Sequence, residues 1–194
     1  MDEISRMRHD MRHHLRTIMS YTQQGKYQEM MEYLQEYASV ITEEEKLICY
    51  CRNMAVDAVI HFYAGELREK GIPFECDMML PQNIGISDTD LCKIYGNLLE
   101  NAVDAVKDLL PENKPYVKML TKVKNRKLLI EISNPYSNEI QRREKVFYST
   151  KHEGFGIGTA SVAEVVQRMG GYVVFNTEEG IFKVNIFLPV KTVQ

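Results

Sequence analysis

The chain has 194 residues, 44% of them hydrophobic, a formal net charge of -3 and four cysteines. That length and apolar content allow one large domain, or a small one beside a medium one, with a real core. The mild acidity offers no concentrated positive surface, which disfavours direct binding to nucleic acid or to an anionic membrane. Cys49, Cys51, Cys76 and Cys92 lack paired C-x-x-C spacing, so reduced thiols in a cytosolic setting are expected. No apolar run reaches the roughly 20 residues that cross a bilayer, and no signal-peptide pattern is present.

From Ile4 to Thr22, Ile4, Met11 and Ile18 recur at one heptad position and Met7, His14 and Tyr21 at the other, with Leu15 beside them. This predicts an amphipathic helix with a partner-facing seam, ended by Gly25. A second amphipathic segment carries Tyr27, Met30, Met31, Leu34, Ala38 and Ile41, so the pair reads as an antiparallel helical hairpin. A lone hairpin has too little core to stand by itself, and dimerisation or packing on the remainder is expected. Thr42 and Glu45 have the form of a capping box opening a third helix through Leu47, Cys51, Met54 and Phe62 to Leu67, closed at Gly71. On that reading Cys49 and Cys51 cannot share a helix face.

IPFECDMML, from Ile72, reads as a strand, and Ser87 or Asp88 caps the next helix, whose buried stripe is Leu91, Ile94, Tyr95, Leu98, Ala102 and Val106. YVKMLTKVK and KLLIEIS alternate as strands about a turn at Asn125-Arg126. A polar stretch from Asn134 to Gly158 precedes a short helix, Ala160 to Met169. YVVFNT and FKVNIFLP then pair around Glu179-Gly180. The fold class is α+β: the hairpin over 1–45, then an α/β sandwich with a mixed sheet over 46–194.

Three stretches carry chemistry. Asn97, Asn101, Asp104 and Asp108 form a polar stripe opposite the leucines. A solvated face is the plain explanation, but two asparagines one turn apart inside a helix need a reason, since their side chains compete with the backbone. An amide oxygen is a suitable hard ligand for Mg²⁺ bridging phosphates. In KHEGFGIGT, Gly154, Gly156 and Gly158 let backbone amides approach an anion just before a helix N-terminus, although G-x-G-x-G alone also describes a flexible loop. It fits neither a dinucleotide fingerprint nor a Walker loop. Third, RHDMRHHL brings His9, His13 and His14 within six positions. The heptad places His14 on the seam and His9 opposite, with His13 one turn further on. His9 and His13 at i, i+4 make at most half a zinc site, for which His61, His152, the cysteines and the acids lack suitable spacing.

NLLENAVDA resembles the N-box and STKHEGFGIGTASV the G-box of the Bergerat-fold ATP-binding domain of the GHKL superfamily, shared by gyrase, MutL and the histidine kinases. RHDMRHHL resembles the phospho-acceptor box of the quorum- and peptide-sensing kinase branch, which begins R-H-D. The resemblance implies an N-terminal hairpin that homodimerises into a four-helix bundle, followed by a Bergerat-type sandwich that binds ATP with Mg²⁺. It implies that Asn101 holds the metal and the nucleotide phosphates, that Asn97 supports the same cluster, and that Lys151 reaches phosphate. Gly154, Gly156 and Gly158 would shape the lid, and Asn134 stands where most relatives read adenine with the aspartate of D-x-G-x-G. Here the sequence is SNPYS, and the uncharged amide implies modest nucleotide affinity. Asn97 also occupies the place of the water-activating glutamate of the family's ATPases, and an amide cannot take a proton.

The expected function is therefore that of the cytosolic core of a sensor histidine kinase. His9, its tautomer fixed by Asp10, would attack the γ-phosphate, and phosphate would pass to a response regulator receiver domain. Relatives usually carry the sensing part as a membrane segment ahead of this point, so the chain reads as the cytoplasmic portion of a membrane-anchored sensor. The rivals are a phosphotransferase or pseudokinase with the hairpin but no productive ATP binding, an ATPase switch of the gyrase kind, which Asn97 disfavours, and an anti-sigma-type serine kinase, which has no need of the hairpin.

Overall fold

The computed structural model describes residues 3–38, 48–107, 109–136, 142–143, 146–147 and 157–190. The chain divides into two compact units, Met1–Leu47 and Ile48–Gln194.

In the first unit α1 (Glu3–Gln23) and α2 (Tyr27–Ala38) flank a turn at Gly25, whose φ of 66° is one glycine adopts without strain. The helices meet through polar aromatics: His14 Nδ1 lies 2.7 Å from the Tyr33 hydroxyl, and Tyr33 also packs on Tyr21 at 6.0 Å between centroids. His14 is thus half-buried in a helix–helix contact, as its heptad position implies, whereas His13 is exposed. Leu15, Met19, Tyr27 and Met31 are exposed as well. Ile41, expected on the second helix, lies outside the described residues.

The second unit is a five-stranded mixed sheet of order β1-β2-β3-β7-β6 with three helices on one face. Its strands are β1 (Phe74–Met79), β2 (Val117–Lys124), β3 (Lys127–Pro135), β6 (Tyr172–Glu178) and β7 (Ile181–Pro189); β4 (Arg142–Arg143) and β5 (Val146–Phe147) pair separately. β1 and β2 are parallel, joined through α4 (Asp88–Val106), and the other pairings in this sheet are antiparallel. Asn125 and Arg126 both take positive φ, as do Glu179 and Gly180. That is the backbone of the tight hairpin turns whose twist suits the flanking strands. Alternation sends Val117, Met119, Leu128, Ile130, Ile132, Val184, Ile186 and Leu188 inward. They meet Val56, Ile60 and Leu67 of α3 (Met54–Glu69), Leu91, Ile94, Leu98 and Val103 of α4, and Val162, Val165 and Val166 of α5 (Ile157–Arg168). α4 lies between α3 and α5 and packs on β3. Among the described residues no helix is long and apolar enough to cross a membrane.

Two helix starts differ from expectation. The third helix begins at Met54, because Asn53 caps it by accepting from the Val56 amide at 2.9 Å, while Asp57 draws the Tyr50 and Cys51 amides out of helical bonding. Thr42 and Glu45 lie outside the described residues. Cys49 and Cys51 therefore precede the helix, and the Cys49 thiol contacts the Cys51 carbonyl at 3.3 Å. α4 ends at Val106, as expected, and carries Asn97, Asn101 and Asp104 of the polar stripe, while Asp108 lies outside the described residues. α5 starts at Ile157, three residues before Ala160, and a one-turn 3-10 helix over Pro111–Asn113 had no periodic signal.

Candidate functional site

α4 supplies the base of the site. Its start is fixed by Ser87, whose hydroxyl accepts from the Asp90 amide at 3.2 Å and donates to the Asp90 carboxylate at 2.8 Å. Its orientation is fixed by the apolar stripe and by a buried hydrogen bond of 3.0 Å between the Tyr95 hydroxyl and Thr121 of β2. With the stripe on the sheet, Asn97 and Asn101 emerge half-buried one turn apart. Asn97 Nδ2 donates to the Lys93 carbonyl at 2.6 Å, which assigns the orientation of its amide.

The first turn of α5 meets these amides. A methyl carbon built on Gly158 would stand 2.9 Å from Asn101 Nδ2, 3.1 Å from Asn101 Oδ1 and 3.3 Å from Asn97 Oδ1. A residue with a Cβ would sit this close only if the Asn101 amide turned away. Gly158 therefore belongs to a helix start rather than to a loop, and it joins the asparagine stripe to the glycine-rich segment although 57 positions separate Asn101 from Gly158 (158 − 101). The start of a helix is where backbone N–H groups lack intrahelical partners and favour an anion.

Asn134 ends the inward register of β3 after Leu128, Ile130 and Ile132 and is 2% exposed. Its Nδ2 donates to the Pro135 carbonyl at 2.9 Å. The strand alternation accounts for the burial of this amide. Lys151, Gly154 and Gly156 lie outside the described residues. His9 and Asp10 fall within α1, but their side chains lie outside the described ones.

Residues 86–189 match the GHKL domain model, and the chain belongs to that family. The match runs from the α4 cap to the end of β7 and contains Asn97, Asn101, Asn134 and Gly158. The sensor protein CitS of Bacillus subtilis (strain 168) is 25% identical over 199 residues, which cover 97% of this chain and 36% of CitS. The chain thus spans about a third of the length of that relative. Among solved structures, the catalytic domain of histidine kinase ThkA superposes with a TM-score of 0.55 at 18% identity, over 71% of this chain and 92% of that one. Full-length ShkA in complex with AMPPNP gives a TM-score of 0.57 at 20% identity, over 80% of this chain and 33% of that one. These likenesses agree with the fold described above.

Proposed function

We propose that the chain is the catalytic core of a sensor histidine kinase, binding Mg-ATP on the α4 and α5 face and passing the γ-phosphate to His9. The observation that carries this is the convergence of the Asn97 and Asn101 amides on the Gly158 backbone. Two carboxamide oxygens beside a helix start form a donor set suited to a hard cation and the phosphates it bridges. Asn101, with Asn97 beside it, would hold Mg²⁺, which when bound supplies charge neutralisation at the phosphates. Lys151, Gly154 and Gly156 would close over them, and Asn134, whose donor end is engaged with Pro135, would accept from the adenine amino group through Oδ1.

Asn97 gives the reading its direction. It stands one turn before Asn101, where a hydrolytic relative needs a carboxylate base, and its amide takes no proton. Phosphate then goes to a positioned side chain rather than to water, with Asp10 holding the His9 tautomer. Exposed Leu15, Met19 and Met31 support self-association of the N-terminal helices as a homodimeric four-helix bundle. A response regulator receiver aspartate is the onward acceptor. Incubation with γ-labelled ATP should give an acid-labile, base-stable label on the wild type and none on His9→Gln, with Mg-ATP binding by calorimetry retained. An unlabelled wild type or a labelled variant would overturn the proposal, and absent binding heat would favour a pseudokinase.

A further inference from the structure

The chain passes from one unit to the other between Leu47 and Ile48, and only two residues later it is tied down. Asp57 Oδ1 accepts from the Tyr50 amide at 2.7 Å and from the Cys51 amide at 3.0 Å. The Arg52 amide donates to the Leu80 carbonyl, just past β1, at 3.1 Å. The Tyr50 ring stands edge-on to His61 of α3 at 5.1 Å between centroids and tilts against Phe74 of β1 at 6.1 Å. Residues 50–53 therefore form a strap, each of them tied to the second unit.

The last tie is of a different kind. Asn53 is 1% exposed, and its Oδ1 caps α3. Capping uses only an oxygen, which serine, threonine or aspartate supplies equally well. The amide nitrogen does something those residues do not. It donates to the Gln82 carbonyl and to Asp88 Oδ1, each at 2.9 Å, and Asp88 is the first residue of α4. One buried carboxamide thus joins the strap, the start of α3, the loop after β1 and the start of the helix that carries Asn97 and Asn101.

We infer that Asn53 is a positioning residue: through Asp88 it delivers displacement of the chain leaving the N-terminal unit to α4, and so couples the two units during phosphate transfer. The inference rests on the kinase reading for its function, but the mechanical link stands on the hydrogen bonds alone. Residues 50–53 and Asp88 move as one body because a slip of the strap breaks bonds on three elements at once. A loosened strap frees the first turn of α4, while the apolar stripe and the Tyr95–Thr121 hydrogen bond still hold the turns that carry Asn97 and Asn101, so the effect falls on transfer rather than on ATP binding.

The test uses the full chain and two variants. Asn53→Ser keeps a capping oxygen and removes the donor to both Gln82 and Asp88; Asp88→Ala keeps the Asn53 cap and its bond to Gln82 and removes only the acceptor on α4. Hydrogen exchange should quicken about tenfold at residues 91–93 in Asn53→Ser and in Asp88→Ala alike, the factor expected for losing a hydrogen bond to a charged group. In the γ-labelled ATP assay Asn53→Ser and Asp88→Ala should each slow His9 labelling about tenfold, while half-saturation by ATP should stay within about twofold. Unchanged exchange in α4 overturns the coupling, as does normal labelling in Asn53→Ser or an equal loss of ATP affinity. A wild type that does not label refutes the kinase reading instead, and the exchange arm still decides the link.

Discussion

Replacing Gly158 by alanine adds one methyl group at the point where α5 meets the asparagines. On an open helix that change stabilises by about 0.5–1 kcal/mol, because glycine loses more backbone entropy on folding. Here the added carbon would lie 2.9 and 3.1 Å from the two polar atoms of the Asn101 amide and 3.3 Å from Asn97 Oδ1. Carbon contacts are optimal near about 3.5–4 Å, so the Asn101 amide must turn or move by several tenths of an ångström. Asparagine is short, and its Cα is held by Leu98, Ala102 and Val103, which are buried against the core. The helix gain and the steric cost, commonly about 1–3 kcal/mol, nearly cancel in stability. Nucleotide binding has no such offset, since a displaced ligand oxygen spoils the metal site, and Mg-ATP affinity should drop at least about tenfold, or about 1.4 kcal/mol. Calorimetric titration beside a denaturant melt separates the two quantities. Gly96→Ala is the control: its added carbon meets nothing within 4 Å, so stability should rise by the helix increment with no change in affinity. Mg-ATP binding to Gly158→Ala at wild-type strength would refute the assignment of this contact to the site.

At Gly171 an added carbon would run into the Phe187 carbonyl and lie 2.7 Å from Leu188 Cδ2, so Gly171→Ala should cost about 2–3 kcal/mol in urea unfolding, and a cost under about 0.5 kcal/mol would contradict the packing. Burial pushes the Cys51 thiol from its usual value near 9 up to about 11 and the Cys76 thiol up to about 12. Their folded neutral forms are favoured, so stability is full below pH 9, then declines as the unfolded chain ionises first, until the folded thiols follow near pH 11–12. Replacing both by alanine should flatten that decline in melts across pH 8–11, with an unaltered slope counting against it. His61 Nε2 makes no hydrogen bond but stands 3.6 Å from Asp57 Oδ2, and its ring meets Tyr50, so His61→Ala should lower stability by about 1 kcal/mol, visible as a downward melting shift of about 2–4 °C.

Periodic segments gave up their structure readily. The strand alternation, both tight turns, the α4 cap and its stripe are local patterns, and tertiary packing agrees with each of them. The start of α3 was hidden because its cap is Asn53, whose further partners at Gln82 and Asp88 lie 29 and 35 residues away. Asn97 and Asn101 were legible as poor helix formers placed inside a helix. Their contact with Gly158 was not, since it depends on how α4 and α5 pack, and the asparagine side chains beside that glycine are what make its missing Cβ necessary.

The segment between β3 and α5 is held at its two ends. Asn134 is sunk in the core, the Tyr136 amide donates to the Gly180 carbonyl at 3.1 Å, and Gly158 is pressed on α4. For a chain fixed at both ends, the entropy of closure grows only with the logarithm of length, so doubling such a loop costs about 0.6 kcal/mol. Lengthening a span between two such anchors therefore costs little closure entropy. On the proposed reading, these two anchors fix where the chain meets the phosphate site, while the asparagines stay where α4 puts them.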